Sequence, residues 1–222
     1  MLSCVDLTKT YACDRGEVEA VKGIDIAVQP GEFTSIVGRS GSGKSSFLAM
    51  IGGLSRPSRG TVQIEDTDIW NLSDDLLANF RNRRIGFVYQ FASLLPTLRI
   101  VDNVALPALL DRSRDADSAY KKAVASLEEL GLSDYIDAYP AETSAGEQRR
   151  AVIARALINS PALLLADEPT SDLDEETERQ IMDQFRKLNR ERGVTLMMVT
   201  HNLRLAEETD RIIHIAGGRL AS

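Results

Sequence analysis

The sequence lacks several features that would send it away from an ordinary globular fold. Its longest apolar runs, Ala162 to Ala166 (ALLLA) and Val194 to Val199 (VTLMMV), fall far short of the roughly 20 residues needed to span a bilayer. The opening MLSCVDLTKTY has neither the charged start nor the long apolar stretch of a secretory signal, so no leader is expected. Cys4 and Cys13 are the only cysteines and form no CxxC pair. That pattern suits a reducing compartment, with both thiols free and serving packing rather than chemistry. Positive charge is not in surplus: 26 Lys and Arg stand against 33 Asp and Glu, a formal net charge of -7. A phosphate backbone is bound through surplus cations, so nucleic acid is not expected as the main partner. Internal repeats, low-complexity stretches and Pro/Gly/Ser-rich linkers are also missing.

What is present is a chain of 222 residues, 43% hydrophobic and 27% charged, enough for one large core or a core with a built-on subdomain. The first thirty residues read as short alternating strands, with a turn at Gln29-Pro30-Gly31. Phe33 to Val37 (FTSIV) is a β-rich run that ends in glycine and opens into a helical stretch, Ser46 to Ile51. Gly60 to Ile64 and Ile85 to Gln90 read as further strands. Ala119 to Leu130 places Tyr120, Val124, Leu127 and Leu130 on one helical face, and Gly131 suits its stop. Ala162 to Ala166 reads as a buried strand, Glu175 to Arg192 as a helix with Ile181, Met182, Phe185 and Leu188 as its apolar stripe, and Val194 to Thr200 as a strand. Strands alternating with helices at both ends predict a mostly parallel α/β sheet. A helical subdomain is expected to be inserted over about 72–158 in a single domain of residues 1–222.

Gly38-Arg39-Ser40-Gly41-Ser42-Gly43-Lys44-Ser45 matches GxxxxGK[ST] between a predicted strand and a predicted helix, the context this motif requires. Its glycines let backbone N–H groups turn inward around a β-phosphate at a helix N-terminus. Lys44 then sets a compact positive charge against the β- and γ-phosphates, the Ser45 hydroxyl suits a magnesium ligand, and Ser46 completes the nucleotide-binding stretch. Leu163 to Ala166 runs directly into Asp167-Glu168, which brings two carboxylates to the end of a buried strand. Asp167 is the candidate for holding magnesium through water, and Glu168 is the candidate base that polarises the attacking water. Alone, this pair would read as a solvated acidic turn before Pro169. His201 follows the strand-like VTLMMVT and is expected to contact the γ-phosphate and align the water. His214 is expected to be structural.

The ordered set of motifs resembles the ATP-binding subunit of ABC transporters along nearly the whole chain. The fold this implies is an α/β P-loop NTPase core of ABC ATPase type, with an N-terminal antiparallel β subdomain and the inserted helical subdomain. In that resemblance Tyr11 (in LTKTY) stands where an aromatic stacks on adenine. Gln90 (in FVYQ) stands where a glutamine reaches magnesium and senses the membrane partner, and Asp174 (in TSDLD) lies in the loop crossing the dimer interface. The segments FVYQFASLLPTLRIVDNVALP and NLSDDLLANFRNRRIGF are most similar to the lipoprotein-releasing, macrolide-exporting and cell-division branch. ATP and Mg2+ are the implied ligands. The implied partners are a second ATPase subunit, identical or different, and a permease-type membrane protein, with the chain peripheral on the inner face of the cell membrane. The rival reading within the family is a regulatory ATPase that signals through a membrane protein to envelope enzymes.

The chain departs from the family signature, usually LSGGQ, in having Thr143-Ser144-Ala145-Gly146-Glu147. Ser144 and Glu147 form the S-x-x-E of a capping box that opens the helix carrying Arg150, Ile153 and Leu157. Ser144, the Gly146 amide and Glu147 remain available toward a partner-bound γ-phosphate. Ala145 adds a methyl where a glycine would allow closer approach and wider dihedrals. One lost hydrogen bond to a charged phosphate would weaken closure by roughly 1.5–3 kcal/mol, about ten- to a hundredfold. The cluster Arg81, Arg83 and Arg84 is expected to be a solvated helix end, and Asp111 to Lys122, alternating in sign, an exposed stretch.

Overall fold

The computed structural model describes residues 1–13, 16–90, 93–111 and 115–221. The strands in chain order are β1 (Leu2–Cys13), β2 (Gly16–Val28), β3 (Phe33–Val37), β4 (Arg59–Ile64), β5 (Thr67–Asp68), β6 (Ile85–Val88), β7 (Leu163–Asp167), β8 (Thr195–Val199), β9 (Arg211–Ala216) and β10 (Arg219–Ala221). The α-helices are α1 (Lys44–Ile51), α2 (Asp74–Arg84), α3 (Ile100–Leu109), α4 (Ala116–Glu129), α5 (Ala145–Leu157), α6 (Glu175–Arg192) and α7 (Leu203–Ala206). The chain divides into two compact units, one of residues 1–81 with 187–222 and the other of residues 82–186.

In the first unit, β1 pairs antiparallel with β2 and β4, and β4 pairs with β5. The opening strands are long, 12 and 13 residues, rather than short. Register shifts after Cys4, Leu7 and Lys9 bend the pair where a straight ladder of that length would run off the core. A tight turn follows: Glu32 N donates to Gln29 O at 3.2 Å, Pro30 presets the first corner, and Gly31 takes φ 73. Every residue of β3 and of β8 is buried, as suits parallel strands covered on both faces. β3 runs parallel to both β8 and β9, and β10 closes an antiparallel hairpin on β9.

In the second unit β6 and β7 form a parallel pair, with α3, α4 and α5 as the helical part. The buried face of α4 is Ala119, Ala123 and Leu127, with Leu130 after its end. Tyr120 and Val124, expected on that face, are only half-buried at its margin. Small alanines let α4 lie close to its neighbours, and larger side chains are displaced to the flank. Gly131 stops the helix at φ 70. Asp111, expected to be exposed, is 6% exposed and accepts two hydrogen bonds from the Arg83 guanidinium at 3.0 and 3.1 Å. A buried carboxylate requires such a partner, and Arg83 is therefore not a merely solvated helix end. Residues 112–114 of the expected exposed stretch lie outside the described residues. α6 has three acidic residues in its first turn and Arg190 and Arg192 in its last, matching the helix dipole. Its stripe Ile181, Met182, Phe185 and Leu188 is buried as the spacing predicts.

Candidate functional site

The first unit carries the phosphate loop. β3 ends at Val37, the chain turns through residues 38–43, and α1 begins at Lys44. Gly41 and Gly43 take left-handed backbone, φ 75 and 101, which only glycine adopts freely. A Cβ on Gly38 would stand 2.1 Å from Ile215 O, and one on Gly43 2.2 Å from Ala20 O. The loop is thus pressed between β9 and β2 and fits only without side chains there. Gly218 N in the turn between β9 and β10 donates to Ser42 O at 3.0 Å, bracing the loop from outside.

Lys44 is 8% exposed. Its ammonium donates to Gly38 O at 2.7 Å and Arg39 O at 3.1 Å, so the loop's own carbonyls position the charge at the mouth of α1. The first turn of α1 has no acidic residue, so nothing there offsets the positive end of the helix. Ser42 Oγ is buried without a hydrogen-bond partner among the described residues. Arg39, Ser40, Gly41 and Ser45 are exposed and Ser46 is half-buried. A compact lysine, inward-turned loop and orphaned hydroxyl together fit a phosphate chain.

Tyr11, in β1, is 40% exposed. Its hydroxyl meets Ser46 Oγ at 3.3 Å, which brings the ring to the first turn of α1. Lys9 Nζ stands 5.0 Å from the ring centroid. His201 lies just past β8 and is exposed. Ile36 pairs with Val199, and Thr200 N donates to Ile36 O at 3.0 Å. His201 and Gly38 therefore leave the same end of one parallel strand pair, two residues beyond that register.

The second unit repeats this arrangement with different chemistry. Val88 pairs with Ala166 in β6 and β7, so Gln90 and Glu168 leave the same end two residues later. Asp167 is the last residue of β7. Both carboxylates are half-buried and Gln90 is exposed. Glu168 has φ 48, a left-handed backbone that a non-glycine residue adopts only when its surroundings impose it. Its carbonyl accepts from Ser171 N at 3.2 Å and Ser171 Oγ at 3.0 Å, closing the turn.

Ser144 is the N-cap of α5. Its hydroxyl accepts from Glu147 N at 3.3 Å and its amide donates to the Glu147 carboxylate at 2.7 Å, the predicted capping box. Ala145 is exposed and begins the helix, and it is absent from the left-handed residues. Its backbone therefore does not need glycine, which removes the dihedral part of the concern raised by this substitution. Gly146 is half-buried. Asp174 accepts from Glu176 N at 3.1 Å, Thr177 N at 2.9 Å and Thr177 Oγ1 at 2.7 Å. These bonds from the Thr177 amide and hydroxyl hold its carboxyl below the usual carboxylate range.

Sequence reasoning missed Arg149, which is 4% exposed and donates to the Tyr89 and Gln90 carbonyls. Its signal was spacing: Arg149 lies one helical turn from Ile153 and two from Leu157, so it shares their buried face. Asn103, fully buried, was also missed. It accepts from Leu95 N at 2.7 Å and donates to the carbonyls of Leu95, Leu98 and Arg99, each at 3.1 Å. Cys13 is exposed, unlike the buried Cys4, so packing does not account for it. Among the described residues no group of three or more His, Cys, Asp and Glu could hold a metal ion. Ser45 offers a hydroxyl in the first unit, and Gln90 and Asp167 an amide and a carboxylate in the second, each an oxygen donor of the kind magnesium takes. Among the described residues no helix is long and apolar enough to cross a membrane.

Residues 21–171 match the family described as ABC transporter. The chain is 43% identical over 222 residues to a lipoprotein-releasing system ATP-binding protein LolD of Geobacter metallireducens, covering 100% of this chain and 98% of that protein. The LolD of Myxococcus xanthus is 42% identical over 221 residues, again covering 100% and 98%. The dimeric ATP-binding cassette MJ0796 bound to ADP and Pi superposes with a TM-score of 0.92 at 37% identity, covering 100% of this chain and 97% of that one. The chain belongs to the ABC transporter family, as an ATP-binding and ATP-hydrolysing subunit built on the ABC-type P-loop fold.

Proposed function

We propose that this chain is the motor of a lipoprotein-releasing type of envelope machine, working as a homodimer on the inner face of the cell membrane and docked on a permease-type protein. The observation that supports this most is the buried Lys44, held at the N-terminus of α1 by its own loop carbonyls beside the orphaned Ser42 hydroxyl. Full-length identity of 43% to a protein named for lipoprotein release supports the cargo class.

In this reading the amides and hydroxyls of residues 38–46 bind the phosphates, and Lys44 donates to the β- and γ-phosphate oxygens. Tyr11 lays its ring on the adenine. Glu168 polarises the attacking water, and His201 contacts the γ-phosphate and aligns that water. Ser45 and Gln90 would hold magnesium, with Asp167 acting through water, and the ion would neutralise charge on the β- and γ-phosphates. Ser144, the Gly146 amide and Glu147 of one subunit address the phosphate held by the other, and Asp174 lies on the path between them. ATP closes the pair, hydrolysis reopens it, and the helical part over 72–158 passes the motion to the permease near Gln90.

The test is magnesium-dependent ATPase activity of the purified chain beside Glu168→Gln, with oligomer size followed with and without ATP. The expected result is turnover in the wild type, and in the variant an ATP-bound dimer with turnover reduced by about 10²–10⁴. ATP binding with neither dimer nor turnover would overturn the homodimer.

A further inference from the structure

α5 opens with the signature, and one turn later it buries a charge. Arg149 Nη1 donates to Tyr89 O and Nη2 to Gln90 O, the two residues that follow β6. Its Nε is buried with no hydrogen-bond partner among the described residues. Burial lowers its pKa, against which Asp172 contributes only its charge. A guanidinium presents five donors in a rigid fork, and here that fork straddles consecutive backbone carbonyls. Six residues further, Arg155 donates to Ser93 O at 2.7 Å and Ser93 Oγ at 2.6 Å. One helix therefore donates to Tyr89, Gln90 and Ser93. A buried charge whose remaining N–H goes unmet is costly. Holding a backbone in place is what this geometry provides in return.

We propose that Arg149 is a positioning residue that fixes the backbone of Gln90 to the signature helix, so that Ser144 and Gln90 move as one rigid piece. This rests on the reading of Gln90 as a magnesium ligand. The clasp sets where the Gln90 side chain starts and transmits displacement of Ser144 to Gln90 and back. Methionine at 149 fills the space without donors, while lysine keeps one ammonium that cannot bridge both carbonyls as the fork does.

The experiment compares wild type, Arg149→Met, Arg149→Lys, Gln90→Ala and the Arg149→Met/Gln90→Ala pair in the full chain. Amide exchange without nucleotide is expected to speed up about tenfold around Tyr89 and Gln90 in Arg149→Met, with β7 unchanged and Arg149→Lys intermediate. The magnesium concentration for half-maximal turnover should rise about tenfold in Arg149→Met, as for other residues that orient a metal ligand. It should rise no further in the double variant than in Gln90→Ala alone. Unchanged exchange around Gln90, exchange that speeds up equally in β7, or additive effects on magnesium dependence would overturn the proposal. If Gln90→Ala leaves magnesium dependence unchanged, the reading of Gln90 fails by itself and the exchange comparison alone decides the clasp.

Discussion

Thr177 Cγ2 occupies the space a side chain at Gly146 would need: an added Cβ would stand 2.8 Å from it. Thr177 is held in turn, since Asp174 accepts from its amide and its hydroxyl. Ala145, one residue earlier, is exposed on ordinary helical backbone. Glycine is therefore required at 146 by the packing of α5 on α6, and no such demand exists at 145. Gly146→Ala is expected to cost about 1–3 kcal/mol by overpacking, read as a lower urea midpoint. Ala145→Gly is expected to lower stability by no more than about 1 kcal/mol. It should leave turnover within about threefold, a change under about 0.7 kcal/mol.

Lys44 and Tyr11 address opposite ends of the nucleotide in the proposed function, and their variants are expected to separate by ligand. Lys44→Ala loses a charge-assisted contact worth about 1.5–3 kcal/mol and should weaken ATP and inorganic tripolyphosphate alike. Tyr11→Ala loses about 0.5–1.5 kcal/mol of ring contact and should weaken ATP alone. Titration of both variants with both ligands checks this.

Asp102 gives a pH dependence of defined sign. Arg99 donates to it at 2.9 and 3.1 Å, and Tyr120 Oη at 3.1 Å. The hydrogen bond from Arg99 leads in holding its carboxyl below the usual carboxylate range. A depressed folded-state pKa means a contribution present at neutral pH and lost as pH falls below the ordinary carboxylate value through the folded one. Asp102→Asn should therefore lower the urea midpoint at neutral pH, and the gap to wild type should close at strongly acid pH.

The two thiols should differ in reactivity. Burial, with the Asp25 charge, pushes Cys4 up to about 12, so it stays a protonated, inaccessible thiol at neutral pH. Cys13 is exposed. A thiol-reactive chromophore should titrate one group in the native chain and the second only after denaturation, with Cys13→Ser abolishing the native signal.

Much of the local structure that carries the candidate residues was legible in the sequence. The phosphate loop, the Asp167-Glu168 strand end, His201 and the Ser144–Glu147 capping box each depend on residue types at fixed short spacing, and all four lie in the local structures predicted for them. The misreadings share a different cause. Asp111 looked like part of a solvated run because its partner, Arg83, lies 28 residues away. The α4 stripe was read from its larger residues, although close packing selected Ala119 and Ala123. The strands of the first thirty residues were judged short because their bulges interrupt the alternation that marks a strand.

The sequence by itself determined the buried parallel strands, the helix starts and stops, and the chemical groups at each strand end. These follow from periodicity, capping and glycine dihedrals within a few residues. Only the tertiary structure decided that Arg149 clasps Gln90, that Ile215 and Ala20 leave room for nothing larger than glycine at 38 and 43, and that Thr177 requires one at 146. Each of those joins residues about 23 to 177 positions apart, and approach at that range is set by strand register and helix packing, which no local spacing encodes.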